Sequence, residues 1–217
     1  MKSLAAAALL LILIAGSAAA GPATVNDIVT IGAINIASAG ATVDVPVYIR
    51  DTSGTPLGID QPFGSRIQAY GLTVNYPTAS VQSITFTRGG ITAPLTPTFE
   101  SSPSVAGSIT LLDVFQESTN LIPFTSNAAL PGNQVATLHV TIAPGVAPGT
   151  TINLTFDSTL TQLNNQAGTI KESVPTNNLT LVNGSILVTA AAPALSTWAL
   201  AMLAIALAGM GVVLLRR

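Results

Sequence analysis

Cysteine is absent from the 217 residues, histidine and tryptophan occur once each, and charged residues make up only 7%. Without cysteine there is no disulfide framework, no thiol nucleophile and no zinc knuckle. Soluble domains carry about 25% charged residues, and seven Lys and Arg are too few for the dense basic footprint of a nucleic-acid binder. An acidic disordered tail is excluded too, because 48% of the chain is apolar. No G-x-S-x-G motif marks a nucleophile elbow. The single histidine, His139, has no second imidazole or thiol with which to share a metal. These absences leave no catalytic constellation and no expected cofactor, and the chain is expected not to be an enzyme.

What is abundant is hydrophobicity, and it is concentrated at the ends. Lys2 precedes an apolar run from Leu4 to Ile14, which is followed by Gly16-Ser17-Ala18-Ala19-Ala20. A basic start, a short apolar core and a small-x-small site describe a secretory signal peptide, with cleavage expected after Ala20 and Ala18 completing the A-x-A pattern. At the other end Ala199 to Leu215 runs without a charge between Trp198 and the terminal Arg216-Arg217. That length is the lower limit for a spanning helix. Trp198 stands where an interfacial aromatic belongs, and the arginine pair marks the cytoplasmic side. The chain therefore divides into a signal peptide (residues 1–20), an exported domain (21–190), a linker with a sorting motif (191–198) and a single C-terminal membrane span (199–217).

The C-terminal string resembles the IPTL-CTERM class of bacterial sorting signals: Pro193, Leu195, Ser196, Trp198, Arg216 and Arg217 fall on its pattern, with Ala194 where that class usually has Thr. The resemblance implies a Gram-negative envelope and a sorting transpeptidase of the exosortase type that processes the tail. The physics of the segment alone gives a membrane anchor.

Between the ends, Arg50, Arg66, Arg88 and Lys171 stand against nine acids, a net of −5. This balance favours solubility and disfavours polyanionic partners. About 170 residues make one domain of ordinary size. Apolar and polar residues alternate over Thr42–Ile49, Tyr70–Tyr76, Val135–Ile142 and Ile152–Phe156. A period of two means strands with one buried and one solvated face. Further strand candidates are Ile28–Ile36, Val81–Thr87, Ser108–Phe115 and Leu179–Val188. Gly- and Pro-rich turns separate them, among them Asp51–Gly54, Arg88–Gly90, Pro131-Gly132 and Ala143–Gly149. About nine strands with such turns predict an all-β antiparallel sandwich. Pro46 lacks an N–H, so its strand is expected at an edge or bulged there. Asn183-Gly184 reads either as a hairpin turn or as a bulge within one final strand. Long loops are expected over Pro56–Ser65, Ile91–Ala106 and Glu117–Pro131.

A second resemblance covers nearly the whole middle. Ala39–Val47 (AGATVDVPV) resembles the early strand of cohesin domains. Gly71–Pro77 with Val81, the pair Val135–Ile142 and Ala147–Leu154, and the closing Asn183–Ile186 (NGSI) follow in the same order. The resemblance implies a nine-stranded jelly-roll sandwich akin to carbohydrate-binding modules. It also implies a non-catalytic role, docking a dockerin-type protein or binding extracellular polysaccharide. No binding residue carries over from it. A structural envelope or matrix protein that self-associates through strand edges is the alternative.

The chemistry-bearing residues are few. His139 falls on the polar face of its strand and is expected to be solvated. Asp113 and Glu117 form the one close carboxylate pair near a strand end, which a glycosidase would need across a sugar cleft. In this setting the pair reads as solvated loop chemistry. Asp51 and Asp60 bracket a loop with oxygen donors but without the ligand density of a known calcium loop. Tyr70 and Tyr76 share a face with Leu72 and Val74 and are expected in the core, while Tyr48 is expected at the surface.

Overall fold

Alternation sets most of the strands. The computed structural model describes residues 25–36 and 38–189. It contains β1 (Asp27–Ile31), β2 (Ala33–Ile36), β3 (Thr42–Arg50), β4 (Ala69–Asn75), β5 (Val81–Arg88), β6 (Phe99–Ser101) and β7 (Ser104–Val105). There follow β8 (Ser108–Val114), β9 (Asn133–Ile142), β10 (Thr151–Phe156), β11 (Gln162–Asn164), β12 (Lys171–Ser173), β13 (Leu179–Val182) and β14 (Gly184–Val188). Short 3-10 turns occupy Gly90–Thr92 and Val174–Thr176. The expected all-β sandwich is present, but with 14 strands among the described residues where the sequence gives about nine.

One sheet runs β13-β1-β3-β9-β5. In the other, β4 carries β8 along one edge, and β6 and β7 pair in turn with β8. The opposite edge of β4 is shared, β11 pairing with Ala69–Gly71 and β10 with Val74 and Asn75. Beyond these lie β12, paired with β11, and β14 with β2, continuing from β10. Between the sheets Val29, Val45, Val47, Ile49, Leu138 and Val140 meet Leu72, Val74, Leu111, Leu154 and Ile186, all fully buried. Each such side chain contributes about 1.5–3 kcal/mol by leaving water.

Two expected single strands each cross between the sheets. The Ile28–Ile36 run breaks at Gly32: β1 joins one sheet and β2 the other. The final run does the same at Asn183, with β13 parallel to β1 and β14 parallel to β2. Asn183-Gly184 is thus a bend within one closing segment, not a hairpin. The bends nest together, because a Cβ on Gly184 would collide with the Gly32 carbonyl and the Ile31 side chain. The Asn183 side-chain oxygen accepts the Phe156 amide at 2.9 Å.

Pro46 lies on an inner strand, not an edge, and the register of β3 against β9 shifts one residue later, between Val47 and Tyr48. Its carbonyl accepts the Gly32 amide at 2.9 Å. The missing N–H points to that same side, where β1 ends and the chain leaves for the other sheet, so no ladder bond is lost. Tyr70 is core, as expected, while Tyr48 and Tyr76 are half-buried.

Candidate functional site

Strand β4 differs from its neighbours: six of its seven residues are buried, including Ala69, Gly71 and Thr73, which point away from the core. The register explains what covers them. Phe99, Val114, Ala69 and Asn164 form one outward row across β6, β8, β4 and β11, and Ser101, Leu112, Gly71 and Gln162 form the next. Leu112 lies over the bare Cα of Gly71, whose Cβ would stand 3.1 Å from Leu112 Cδ2. The result is a shallow hollow of ≈ 180 Å³ with Gly71 as its floor, and Phe99, Leu112, Val114, Gln162 and Asn164 on its sides. Phe99 is 52% exposed. This large apolar side chain flanks an apolar strip that has the Gln162 and Asn164 amides along one border. At the other end of the sheet Asn75, Tyr76, Pro77, Ser80, Thr151, Asn153 and Thr155 line a polar hollow of ≈ 390 Å³.

The opposite outer face, on β3, β9 and β5, is polar. Here His139 has partners that the sequence reading did not give it. Its Nδ1 lies 2.6 Å from Asp44 Oδ1 and its Nε2 lies 2.9 Å from Thr87 Oγ1. The order hydroxyl–imidazole–carboxylate is that of a nucleophile triad. The register brings it together, since Asp44 and Thr85 both sit opposite His139. A hydrolase also needs donors for an oxyanion and walls that exclude water. This group stands on a solvent-facing sheet whose β3–β9 ladder already uses the surrounding backbone, so it works as a cross-strand polar chain.

Asp113 and Glu117 serve different neighbours. Asp113 faces the core opposite Tyr70 in the β4–β8 register, with no hydrogen bond of normal geometry to either oxygen. Burial pushes its carboxyl up to about 6, with the Tyr70 hydroxyl and Arg88 pulling the other way. Glu117 accepts the Gly64 amide at 2.9 Å and stands 3.7 Å from Arg66. It is buried as well, so neither member of the pair is the solvated loop group expected.

Among the described residues no three His, Cys, Asp or Glu side chains converge on one metal-sized point, and no helix is long and apolar enough to cross a membrane. The Ala18-x-Ala20 site, the sorting residues Pro193, Leu195, Ser196, Trp198, Arg216 and Arg217, and the 199–217 span lie outside the described residues.

A family model described as the IPTL-CTERM motif matches residues 190–217. No curated protein matches the sequence. Several solved structures share the fold. The third cohesin of ScaC from Acetivibrio cellulolyticus, solved in complex with the ScaB dockerin, is 20% identical over 76% of this chain and 99% of its own, with a TM-score of 0.55. The OlpA cohesin of Clostridium thermocellum, solved in a type I cohesin–dockerin complex, is 15% identical over 75% and 99%, with a TM-score of 0.52. The seventh ScaB type I cohesin from Pseudobacteroides cellulosolvens is 20% identical over 77% and 95%, with a TM-score of 0.50. The chain thus pairs a cohesin-like β-sandwich with an IPTL-CTERM motif at its C-terminus.

Proposed function

We propose that this protein is an exported, envelope-anchored, non-catalytic docking module, and that the outer face of β6–β8–β4–β11 receives a dockerin-type protein partner. The observation that carries the reading is the apolar strip itself. Phe99, Val114 and Leu112 share one outward face beside Gly71, whereas Thr42, Asp44, Thr85, Thr87, Thr137 and His139 face outward on the opposite sheet. Exposed apolar side chains around a flat floor, bordered by Gln162 and Asn164, have the make-up of an interface centre with a polar rim. The similar structures in complex with dockerins support a protein occupant. Residues 1–20 act as the export signal and residues 199–217 as the span. Pro193, Leu195, Ser196 and Trp198, with Arg216 and Arg217, form the signal read by a sorting transpeptidase that releases the domain to the cell surface.

The test is capture from the host's secreted and surface fraction, polysaccharides included, with the full chain in mild detergent as bait. One saturable protein partner, lost on Leu112→Asp, is the expected result. A partner that Leu112→Asp leaves bound would move the site to another face. Recovery of polysaccharide, or of only the bait's own native copies, would replace the docking role with a glycan-binding or a self-associating one.

A further inference from the structure

One end of the sandwich buries acids without any base. Asp27 at the start of β1, Asp51 after β3 and Glu172 in β12 are fully buried. The ion pairs among the described residues are Arg66–Glu117, Arg88–Glu100 and His139–Asp44, and none reaches them. Arg50, next in sequence to Asp51, is turned to the Ala128 carbonyl and the Thr52 hydroxyl.

Each carboxylate is held by one oxygen only. Asp27 Oδ1 accepts the Thr52 amide at 2.7 Å, Asp51 Oδ2 the Ile59 amide at 2.7 Å, and Glu172 Oε1 the Leu57 amide at 2.8 Å. The second oxygens, Asp27 Oδ2, Asp51 Oδ1 and Glu172 Oε2, are buried with no partner. Amide bonds that fix one oxygen and leave the other free are how outer-shell contacts orient a metal-ligating carboxylate.

Thr55 supplies an independent sign. Its Oγ1 lies 3.3 Å from Asp27 Oδ1, 3.0 Å from the Thr52 carbonyl and 2.5 Å from the Leu57 carbonyl. A hydroxyl has one hydrogen to give, so at most one of these contacts is a full hydrogen bond and the rest set oxygen lone pairs against one another. The Asp27 and Glu172 carboxyls also lie within hydrogen-bonding reach of each other. Two buried carboxyls in contact cost several kcal/mol when both are ionised, so either a cation or a shared proton must stand between them.

We infer that Asp27, Glu172, the Thr55 hydroxyl and the Thr52 and Leu57 carbonyls form a calcium site. Two carboxylates balance one Ca²⁺, and hydroxyl and carbonyl oxygens with water complete the six to eight oxygens that it takes. Magnesium demands a tighter octahedron and holds its waters, which suits this mixed, chain-supplied set less well. Only two of the side-chain ligands are acids, so the site needs no convergence of three carboxylates. Asp51 lies close enough to act on both carboxyls. It and Asp60 each direct a carboxylate oxygen to the point 2.7 Å away where a Gly58 Cβ would stand, so glycine keeps that space open. Without a cation, burial raises the carboxyls of Asp27, Asp51 and Glu172, and for Asp27 the adjacent Glu172 adds to the rise. Bound calcium ties the start of β1, the Thr52–Leu57 loop and β12 together, and an exported domain meets the ion at the concentrations such extracellular sites need.

The test is calorimetric titration of the full chain in detergent with CaCl2, beside thermal unfolding in EDTA, CaCl2 and MgCl2. The expected result is one Ca²⁺ per chain, with Tm raised by about 5–10 °C when calcium reaches about a hundred times its Kd. Magnesium produces a smaller shift. Asp27→Asn and Glu172→Gln each weaken calcium at least a hundredfold, while Asp44→Asn on the far face leaves it unchanged. The wild-type titration decides alone if a variant does not fold. No heat and no Tm shift with calcium would overturn the site, and a Tm that ignores calcium but falls as pH rises above neutrality would assign the pair a shared proton instead. Either failure leaves the docking proposal standing, since that rests on the outward side chains of β6, β8, β4 and β11, whereas Glu172 faces inward in the row between them.

Discussion

The two outer faces of the sandwich arise from the same alternation and end up unlike. On β3, β9 and β5 the outward positions are Thr42, Asp44, Thr85, Thr87, Thr137, His139 and Thr141, all exposed or half-exposed, and they bond across strands, as Thr42 does to Thr141 at 2.9 Å. On β8, β4 and β11 the outward positions include Leu112, Val114, Gly71 and Ala69, and those of β4 are buried. A solvated sheet needs polar groups outward and no more. The second face departs from that rule where Leu112 and Val114 face outward beside Gly71 and Ala69, and the proposed docking role rests on that departure.

The largest effect expected from a single substitution lies between the faces. Leu72→Ala, in the fully buried interior of β4, should destabilise the fold by about 2–5 kcal/mol, read by chemical denaturation. Leu112→Ala, on the outward face of the adjoining strand, should cost under about 1 kcal/mol. If both cost the same, the outer strip is core and not a docking face.

Next comes Asp113, the buried carboxylate facing inward beneath that strip. Its carboxyl sits near about 6 in the fold against an ordinary value of 3.8, chiefly through burial. The folded state therefore holds its proton to higher pH than the unfolded chain. That stability is fully present below the ordinary value and is lost as pH rises through the folded one. Wild type should lose about 1–3 kcal/mol between pH 4 and 7 from this group. Asp113→Asn should reduce the slope by that amount in urea unfolding measured across the range. A slope that the substitution leaves unchanged would place its source at other groups, such as the buried carboxyls of Asp27, Asp51 and Glu172.

The smallest effect belongs to the polar face. His139→Ala removes the Asp44–His139–Thr87 chain at half-exposed positions and should change stability by no more than about 0.5 kcal/mol. Binding of the partner should be unchanged. A larger loss in either would give that chain a role that the flat sheet does not predict.

Much of this architecture is legible in the sequence, and the reasons differ by element. The runs at Thr42–Ile49, Val135–Ile142 and Ile152–Phe156 fold as strands because alternation and burial agree there. The break at Asn183-Gly184 is legible as a turn or bulge, but the change of sheet there and at Gly32 is not, because each crossing depends on the other for its packing. Strands β6, β7, β11 and β12 are two or three residues long, too short for a period to register, and their pairing comes from β8 and β4. The docking strip is hidden for a related reason. Leu111-Leu112 and Val114-Phe115 are apolar on both faces, and only the register reveals which member points outward. Of the acidic end, the sequence offers Asp51 and Asp60 through their shared loop. Asp27 and Glu172 are over a hundred positions apart, and only the closing of β1 against β13, with β12 alongside, brings them to the same place.

The most direct test of the comparison between faces is a binding isotherm for the captured partner against two variants of the full chain. Leu112→Asp puts a charge in the apolar strip, and Thr137→Asp puts the same charge on the polar face. Leu112→Asp should weaken the partner by at least thirtyfold, the loss of about 2 kcal/mol expected at an interface centre, with Thr137→Asp within about twofold of wild type. Equal affinities for the two variants, or a loss confined to Thr137→Asp, would contradict the assignment of the docking face.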